Sequence, residues 1–189
     1  MGATVKLGFI AILAFMVAAL SGCPPTGPVV KLDYNKYDPS VSQNQVFKGK
    51  KVALLAFTNR AGETSMFYYF RPGGDLAYDT NELVESYVWY CFRNAFRKAG
   101  MQVLEDVQQK SVPDFHLTIT RLDEGNFEFV VNFTKDNFSL MKKKYAVQAD
   151  PARGGTDDPA ALEKNAYLLI NKAISAVLED PEFQDNLQK

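Results

Sequence analysis

Apolar and polar residues alternate along several stretches of the chain with the two-residue period of β-strands. Residues 51–57 instead form a compact, largely apolar run, which predicts a central strand covered on both faces. Residues 114–122 and 127–133 have apolar residues at alternate positions over most of their length, which predicts two half-buried strands joined by the turn at 123–126. Further strands are expected at 101–105 and 138–148.

Two longer segments repeat their apolar residues every three to four positions, as a helix lying on a core does. The first is expected over 79–99, with Asp79 as its N-cap and Gly100 ending it. The second is expected to begin at Asp158 and to end before Pro181. The order β-α-β-β-β-β-α predicts an α+β two-layer sandwich, in which two helices cover a mostly antiparallel sheet of four to five strands.

The N-terminus has the hydropathy of a signal peptide. Lys6 supplies one positive charge, and the uncharged apolar run at 7–20 is shorter than the ~20 residues that span a bilayer. The following Leu20-Ser21-Gly22-Cys23 resembles the lipobox of bacterial lipoproteins. The resemblance implies that the Cys23 thiol receives a diacylglycerol, that the chain is cut between Gly22 and Cys23, and that the new amine is usually acylated. More than one acyl chain makes such an anchor stable.

These features divide the chain into three parts. Residues 1–22 are expected to be the signal peptide, and 23–50 to be the lipidated cysteine followed by a flexible tether, because 24–28 is rich in proline. Within that tether, residues 29–34 form either a short edge strand or plain linker. Residues 51–189 are expected to form a single α+β domain.

The charge balance and the cysteine count limit the kinds of partner and chemistry that the sequence suggests. The whole chain has 21 Lys and Arg against 22 Asp and Glu, and removing Lys6 with the signal peptide leaves 20 against 22, a formal charge of −2. This balance gives no reason to expect nucleic acid as a partner. With Cys23 lipidated, Cys91 is the one remaining cysteine. Its place on the apolar face of the first helix favours a buried hydrophobe over a reactive or intermolecularly paired thiol.

Residues that could carry catalysis are few. His116 is the only histidine, so a zinc site or a catalytic triad lacks its usual histidine partners. The carboxylate pairs at 123–124 and 157–158 fall in predicted turns, where Asp commonly bonds to nearby backbone. We therefore expect no enzymatic activity, no cofactor and no metal.

An aromatic cluster is the strongest candidate for a contact surface. It consists of Phe67, Tyr68, Tyr69 and Phe70, with Tyr78 nearby. Four adjacent aromatics cannot all point into one core if the segment is extended. Either some of them form an exposed loop that contacts a protein or a membrane, or the segment is a strand covered by residues 24–50.

The layout from residue 52 to 187 resembles small envelope lipoproteins of the YajG type. The resemblance rests on the strand at 52–57, on Phe96-Arg-Lys-Ala-Gly-Met101, on the strand at 114–120 and on the final helix at 173–180. It implies the fold and an envelope location, but it brings no established chemistry. Auxiliary lipoproteins of lipid-exporting ABC systems are also broadly similar in layout.

Together these features predict a non-catalytic envelope lipoprotein that acts by binding, as an adaptor for another envelope protein. Its lipid anchor would hold it to the membrane, facing the periplasm. Pro24 rather than Asp follows Cys23, which favours the outer membrane over the inner membrane. One alternative is an accessory lipoprotein of a lipid-transporting ABC system. A weaker alternative is an enzyme that acts on the cell wall or on glycans.

Overall fold

The computed structural model describes residues 27–105, 107–149 and 158–188. In these residues the strands are β1 (Val29–Lys31), β2 (Lys51–Asn59), β3 (Tyr68–Phe70), β4 (Ala77–Asp79), β5 (Gln102–Glu105), β6 (Asp114–Leu122), β7 (Asn126–Lys135) and β8 (Phe138–Gln148). The helices are α1 (Val84–Ala99), α2 (Pro159–Leu178) and α3 (Pro181–Gln188).

The larger sheet has five strands in the order β5-β2-β6-β7-β8, and all five were predicted. The α+β class is confirmed, but the sheet is more mixed than expected. β2 runs parallel to both of its neighbours, whereas β6, β7 and β8 are joined as antiparallel hairpins. The β2–β5 pair is parallel because α1 carries the chain back to the end where β2 began before β5 starts, as crossover connections do.

The core lies between this sheet and the helices. Alternate residues of β6 and β7 point towards α1, so that the rings of Phe115 and Phe129 lie 5.9 and 6.1 Å from the ring of Phe92. The short helix α3 belongs to this core as well. Phe183 is fully buried, with ring centroids 5.2 Å from Phe133 and 5.9 Å from Phe96.

A second, three-stranded sheet in the order β1-β4-β3 corrects the predicted tether. β1 pairs in parallel with β4, and the chain that follows stays against the domain as far as β2. Tyr37 and Phe47 are buried, and the Tyr37 hydroxyl donates to Asn171 Oδ1 at 2.6 Å. Residues 29–50 are therefore part of the folded domain and not a flexible tether, because a few widely spaced apolar side chains fix them to it.

The first helix begins five residues later than expected. Asp79 is the last residue of β4, paired with Lys31 and Tyr68, so it does not cap a helix. Asn81 then takes a left-handed conformation with φ 57°, and α1 starts at Val84 without a side-chain cap. Gly100 closes α1 with φ 107°, as predicted.

The second helix was predicted correctly at both ends. The Asp158 side chain accepts a hydrogen bond from Ala160 N at 3.2 Å, with Pro159 at the first helical position. Pro181 then starts α3. None of the helices in the described ranges combines the length and the apolar character that crossing a bilayer requires.

Candidate functional site

The predicted cleavage and lipidation positions, Gly22 and Cys23, lie outside the described residues. The described chain starts at Gly27, and Ala77 N donates to Pro28 O at 3.0 Å directly afterwards. Three residues lie between Cys23 and Gly27, so the two residues are four steps along the chain and at most about 14 Å apart. A lipid on Cys23 would therefore hold this end of the domain close to the membrane surface.

The aromatic segment is divided between core and surface, because β3 turns alternate side chains in opposite directions. Tyr69 is buried and stacks on buried Tyr78 with ring centroids 4.7 Å apart. Phe67 is 42% exposed and its neighbour Met66 is 54% exposed. Tyr68 and Phe70 are partly buried.

Of the predicted contact residues, Phe67 is thus the most exposed, and Tyr69 and Tyr78 belong to the core instead. Part of the segment is a strand, but β4 lies between it and β1, so β1 joins the same sheet without pairing with β3. The beginning of the segment reaches the solvent at Met66 and Phe67. The sequence interpretation did not include Met66, although it adjoins the aromatic run.

A buried carboxylate fixes the position of this segment. Glu124 Oε1 accepts a hydrogen bond from the Tyr78 hydroxyl at 2.7 Å, and the Arg71 guanidinium donates to both Glu124 oxygens at 2.8 and 3.2 Å. Burial, with the hydrogen bond to Glu124, raises the pKa of Tyr78 above its usual range, so Tyr78 remains a neutral donor. The network joins the β3–β4 turn to the turn between β6 and β7.

The neighbouring Asp123 has the turn role predicted for it. Its Oδ1 accepts hydrogen bonds from the backbone of Gly125 at 2.9 Å and of Asn126 at 2.8 Å. Burial alone would raise the pKa of Asp123, but hydrogen bonds from Asn126, Gly125 and Arg121 outweigh it and lower the pKa. Both members of this carboxylate pair therefore stabilise turns.

A groove of about 250 Å³ lies between the first turns of α1 and the second half of β2. It is lined by Leu55, Ala56, Phe57, Glu85, Ser86, Trp89 and Tyr90. The Arg93 guanidinium lies over the rings of Tyr90 and Trp89, at 4.9 and 5.5 Å from their centroids, which holds both rings in place. The Tyr34 ring stacks on the Tyr90 ring, with their centroids 4.2 Å apart.

The groove and the exposed pair Met66 and Phe67 border the same end of α1. Val84 N donates to Met66 O at 3.0 Å, and Glu85, the next residue of α1, lines the groove. The groove was not predicted from the sequence, because it depends on where β5 ends relative to β2.

The remaining candidates occupy structural positions. His116 lies on the outer face of β6 opposite Asn132, and Cys91 is fully buried in α1. Burial raises the pKa of the Cys91 thiol, which agrees with the predicted buried hydrophobe. Within residues 27–105, 107–149 and 158–188, no three His, Cys, Asp or Glu side chains converge as metal ligands do. That no metal or cofactor is needed stays a prediction.

The comparisons with known proteins bear on the fold alone. No protein-family model matches the sequence, and no curated protein matches it. The crystal structure of protein XCC0632 from Xanthomonas campestris, described under the family model DUF330, is similar with a TM-score of 0.63 and 10% identity. The match covers 86% of this chain and 100% of that chain. A crystal structure of an uncharacterized protein matches 73% of this chain and 97% of its own, with a TM-score of 0.49 and 8% identity.

The first of these matches supports the α+β fold over most of the chain. At such low identity it does not assign an activity, and the second match is too weak to support any argument. The YajG-type resemblance therefore stays a prediction.

Proposed function

We propose that this protein is an envelope lipoprotein of the YajG type, anchored through Cys23, that acts by binding another envelope protein. The anchor is supported by the order of charge, apolar run, small residues and cysteine at the N-terminus. Pro24 favours the outer membrane, with the domain facing the periplasm.

The exposed pair Met66 and Phe67 is the observation that carries the binding role. Large apolar side chains that remain exposed together mark contact surfaces more often than isolated ones do. The backbone beneath them is fixed, because Phe67 O accepts hydrogen bonds from Thr80 N at 3.0 Å and from Thr80 Oγ1 at 2.9 Å. A surface held in one conformation loses less entropy on binding than a mobile loop does.

The size of the neighbouring groove favours a protein partner over a lipid cargo. Its volume of about 250 Å³ falls just below the ~300–1,000 Å³ of typical ligand pockets. A groove of this size accommodates one or two side chains of a partner. A role in lipid transport predicts instead that acyl chains remain bound during native mass spectrometry.

The anchor is tested by measuring the intact mass of the protein extracted from membranes. We expect a chain that begins at Cys23 and carries the mass of three acyl chains with glycerol. The variant C23S should lack this mass. An unmodified chain, or a lipid on another residue, would refute the anchor.

The binding surface is tested by crosslinking in intact membranes followed by purification. The variant F67S should lose the partner that wild type retains. Leu168 of α2 provides a matched control, because it is also a large apolar residue and is 44% exposed. The variant L168S should retain the partner, and equal loss from both variants would show that residue 67 has no special role.

A further inference from the structure

We propose that the edge of β2 beyond Leu54 receives an extended segment of the partner protein as an added strand. In this arrangement the indole N–H of Trp89 donates to a carbonyl of that segment. The inference rests on the proposed binding role and specifies how the partner is recognised.

The first observation is an edge left open in the larger sheet. β5 pairs with β2 only from Lys51 to Leu54, although β2 continues to Asn59. In the part of the chain that the structure describes, no other strand continues the line of β5. Backbone N–H and C=O groups at such an edge are a template for another extended chain.

The second observation is an irregularity at the start of this open edge. The register between β2 and β6 shifts between Leu54 and Phe57, so Leu55 and Ala56 have no partners in the ladder to β6. Bulges of this kind bend a strand and redirect its edge. Ala56 within the irregularity and Thr58 beyond it are both exposed to solvent.

The third observation is a buried hydrogen-bond donor in the adjoining groove. Trp89 is 9% exposed, and its Nε1 has no hydrogen-bond partner among the described residues. An indole nitrogen can only donate, and a buried donor is nearly always paired with an acceptor. Trp89 lines the groove together with Leu55 and Ala56, so an acceptor arriving along the open edge would meet it.

These observations favour an extended polypeptide over other occupants. A peptide supplies alternating donors and acceptors for the strand edge, and its carbonyls supply the acceptor for Trp89. Its side chains fit a groove of about 250 Å³, whereas an acyl chain would leave both the edge and the indole N–H without hydrogen bonds.

The test is site-specific photocrosslinking in living cells that produce the full-length chain. The photoreactive residue p-benzoylphenylalanine is placed at position 56 or at position 58, and the attachment sites on the partner are mapped by mass spectrometry. We expect both positions to react with one short segment, at sites two residues apart, because paired strands share a two-residue repeat. Thr120 on β6 is also exposed, and as the control position it should give no adduct.

A second comparison tests the indole N–H and the edge separately. The variant W89F retains an aromatic ring but loses the donor, so the adduct yield at position 58 should fall by roughly fivefold to tenfold, the effect of one lost hydrogen bond. The variant A56K places a charge at the open edge and should also lower the yield, whereas T120K should not.

Each outcome distinguishes this inference from the proposed function. Adducts from position 67 without adducts from 56 and 58 would refute strand addition and leave the binding role standing. Adducts onto this chain's own residues, or onto a second copy of it, would also refute a partner strand. The absence of adducts from all three positions would count against both proposals.

Discussion

Replacing Glu124 with alanine is expected to destabilise the domain strongly. Glu124 is buried and accepts three hydrogen bonds, from the Tyr78 hydroxyl at 2.7 Å and from Arg71 at 2.8 and 3.2 Å. In the variant E124A the hydroxyl of Tyr78 would stay buried without an acceptor. Arg71 would lose the Glu124 carboxylate but keep Asp75 at 3.8 Å, and because it is partly exposed, water would replace some of the lost interaction.

The size of the effect follows from these contacts. An unpaired buried hydroxyl costs about 1–3 kcal/mol, and a lost charged hydrogen bond costs about 1.5–3 kcal/mol before solvent compensates at Arg71. We therefore expect E124A to lower the free energy of unfolding by about 3–4 kcal/mol, within the range for breaking one partner of a buried ion pair. For a domain of this size the loss corresponds to a fall in Tm of roughly 6–16 °C.

The assay is urea denaturation followed by circular dichroism, on E124A, Y78F and the double variant. Y78F should cost about 1–2 kcal/mol, and the double variant should cost less than the sum by about 1 kcal/mol or more, because both changes remove the same bond. E128A is a suitable control, since Glu128 on the neighbouring strand pairs with Lys144 at the surface, and its midpoint should barely change. A loss below about 1 kcal/mol in E124A would refute the reasoning.

Three further predictions concern the core and its titrating groups. The variant F183A should lower the free energy of unfolding by about 3–5 kcal/mol in urea denaturation, because its ring contacts the rings of both the sheet and α1. The Cys91 thiol should not react with a thiol reagent in the native protein and should react once unfolded, because burial raises its pKa and blocks access. Burial alone would raise the pKa of Asp180, but hydrogen bonds from Lys143 and Tyr145 outweigh it and lower the pKa. The stabilisation from Asp180 should therefore be complete above the ordinary Asp pKa of about 3.9 and disappear as the pH falls through the lower folded value.

Each of these predictions has a contradicting result. F183A with an unchanged midpoint would show that α3 does not belong to the core. Rapid reaction of Cys91 in the native protein would contradict its burial. For Asp180, the comparison is between wild type and D180N at pH 7 and pH 3, and a stability difference that does not shrink at pH 3 would contradict the predicted direction.

The larger sheet was predictable from sequence because its signal is local. Alternation in Phe115, Leu117 and Ile119, and again in the next strand, shows directly which side chains face the core. The predicted start of the first helix at Asp79 was wrong. An Asp before a periodic run is compatible with a helix cap and equally with a strand end. Only its pairing with residues distant in sequence, Lys31 and Tyr68, determines that it ends β4.

The candidate surface was less predictable, because it depends on contacts across the fold. The sequence shows the aromatic run but not that Tyr69 stacks on Tyr78 while Phe67 faces solvent. Residues 29–50 resemble a linker in composition, and their attachment becomes clear only from the burial of Tyr37 and Phe47. The groove follows from the early end of β5, which no local pattern reveals.

Photocrosslinking from residue 67 in intact cells tests the central claim most directly. The protein carrying p-benzoylphenylalanine at position 67 is predicted to form one discrete adduct with another envelope protein, recovered in the membrane fraction. The same residue at position 168, which is equally exposed on α2, is predicted to form none. No adduct at position 67, or the same adducts from both positions, would contradict the account of a membrane-anchored binding protein.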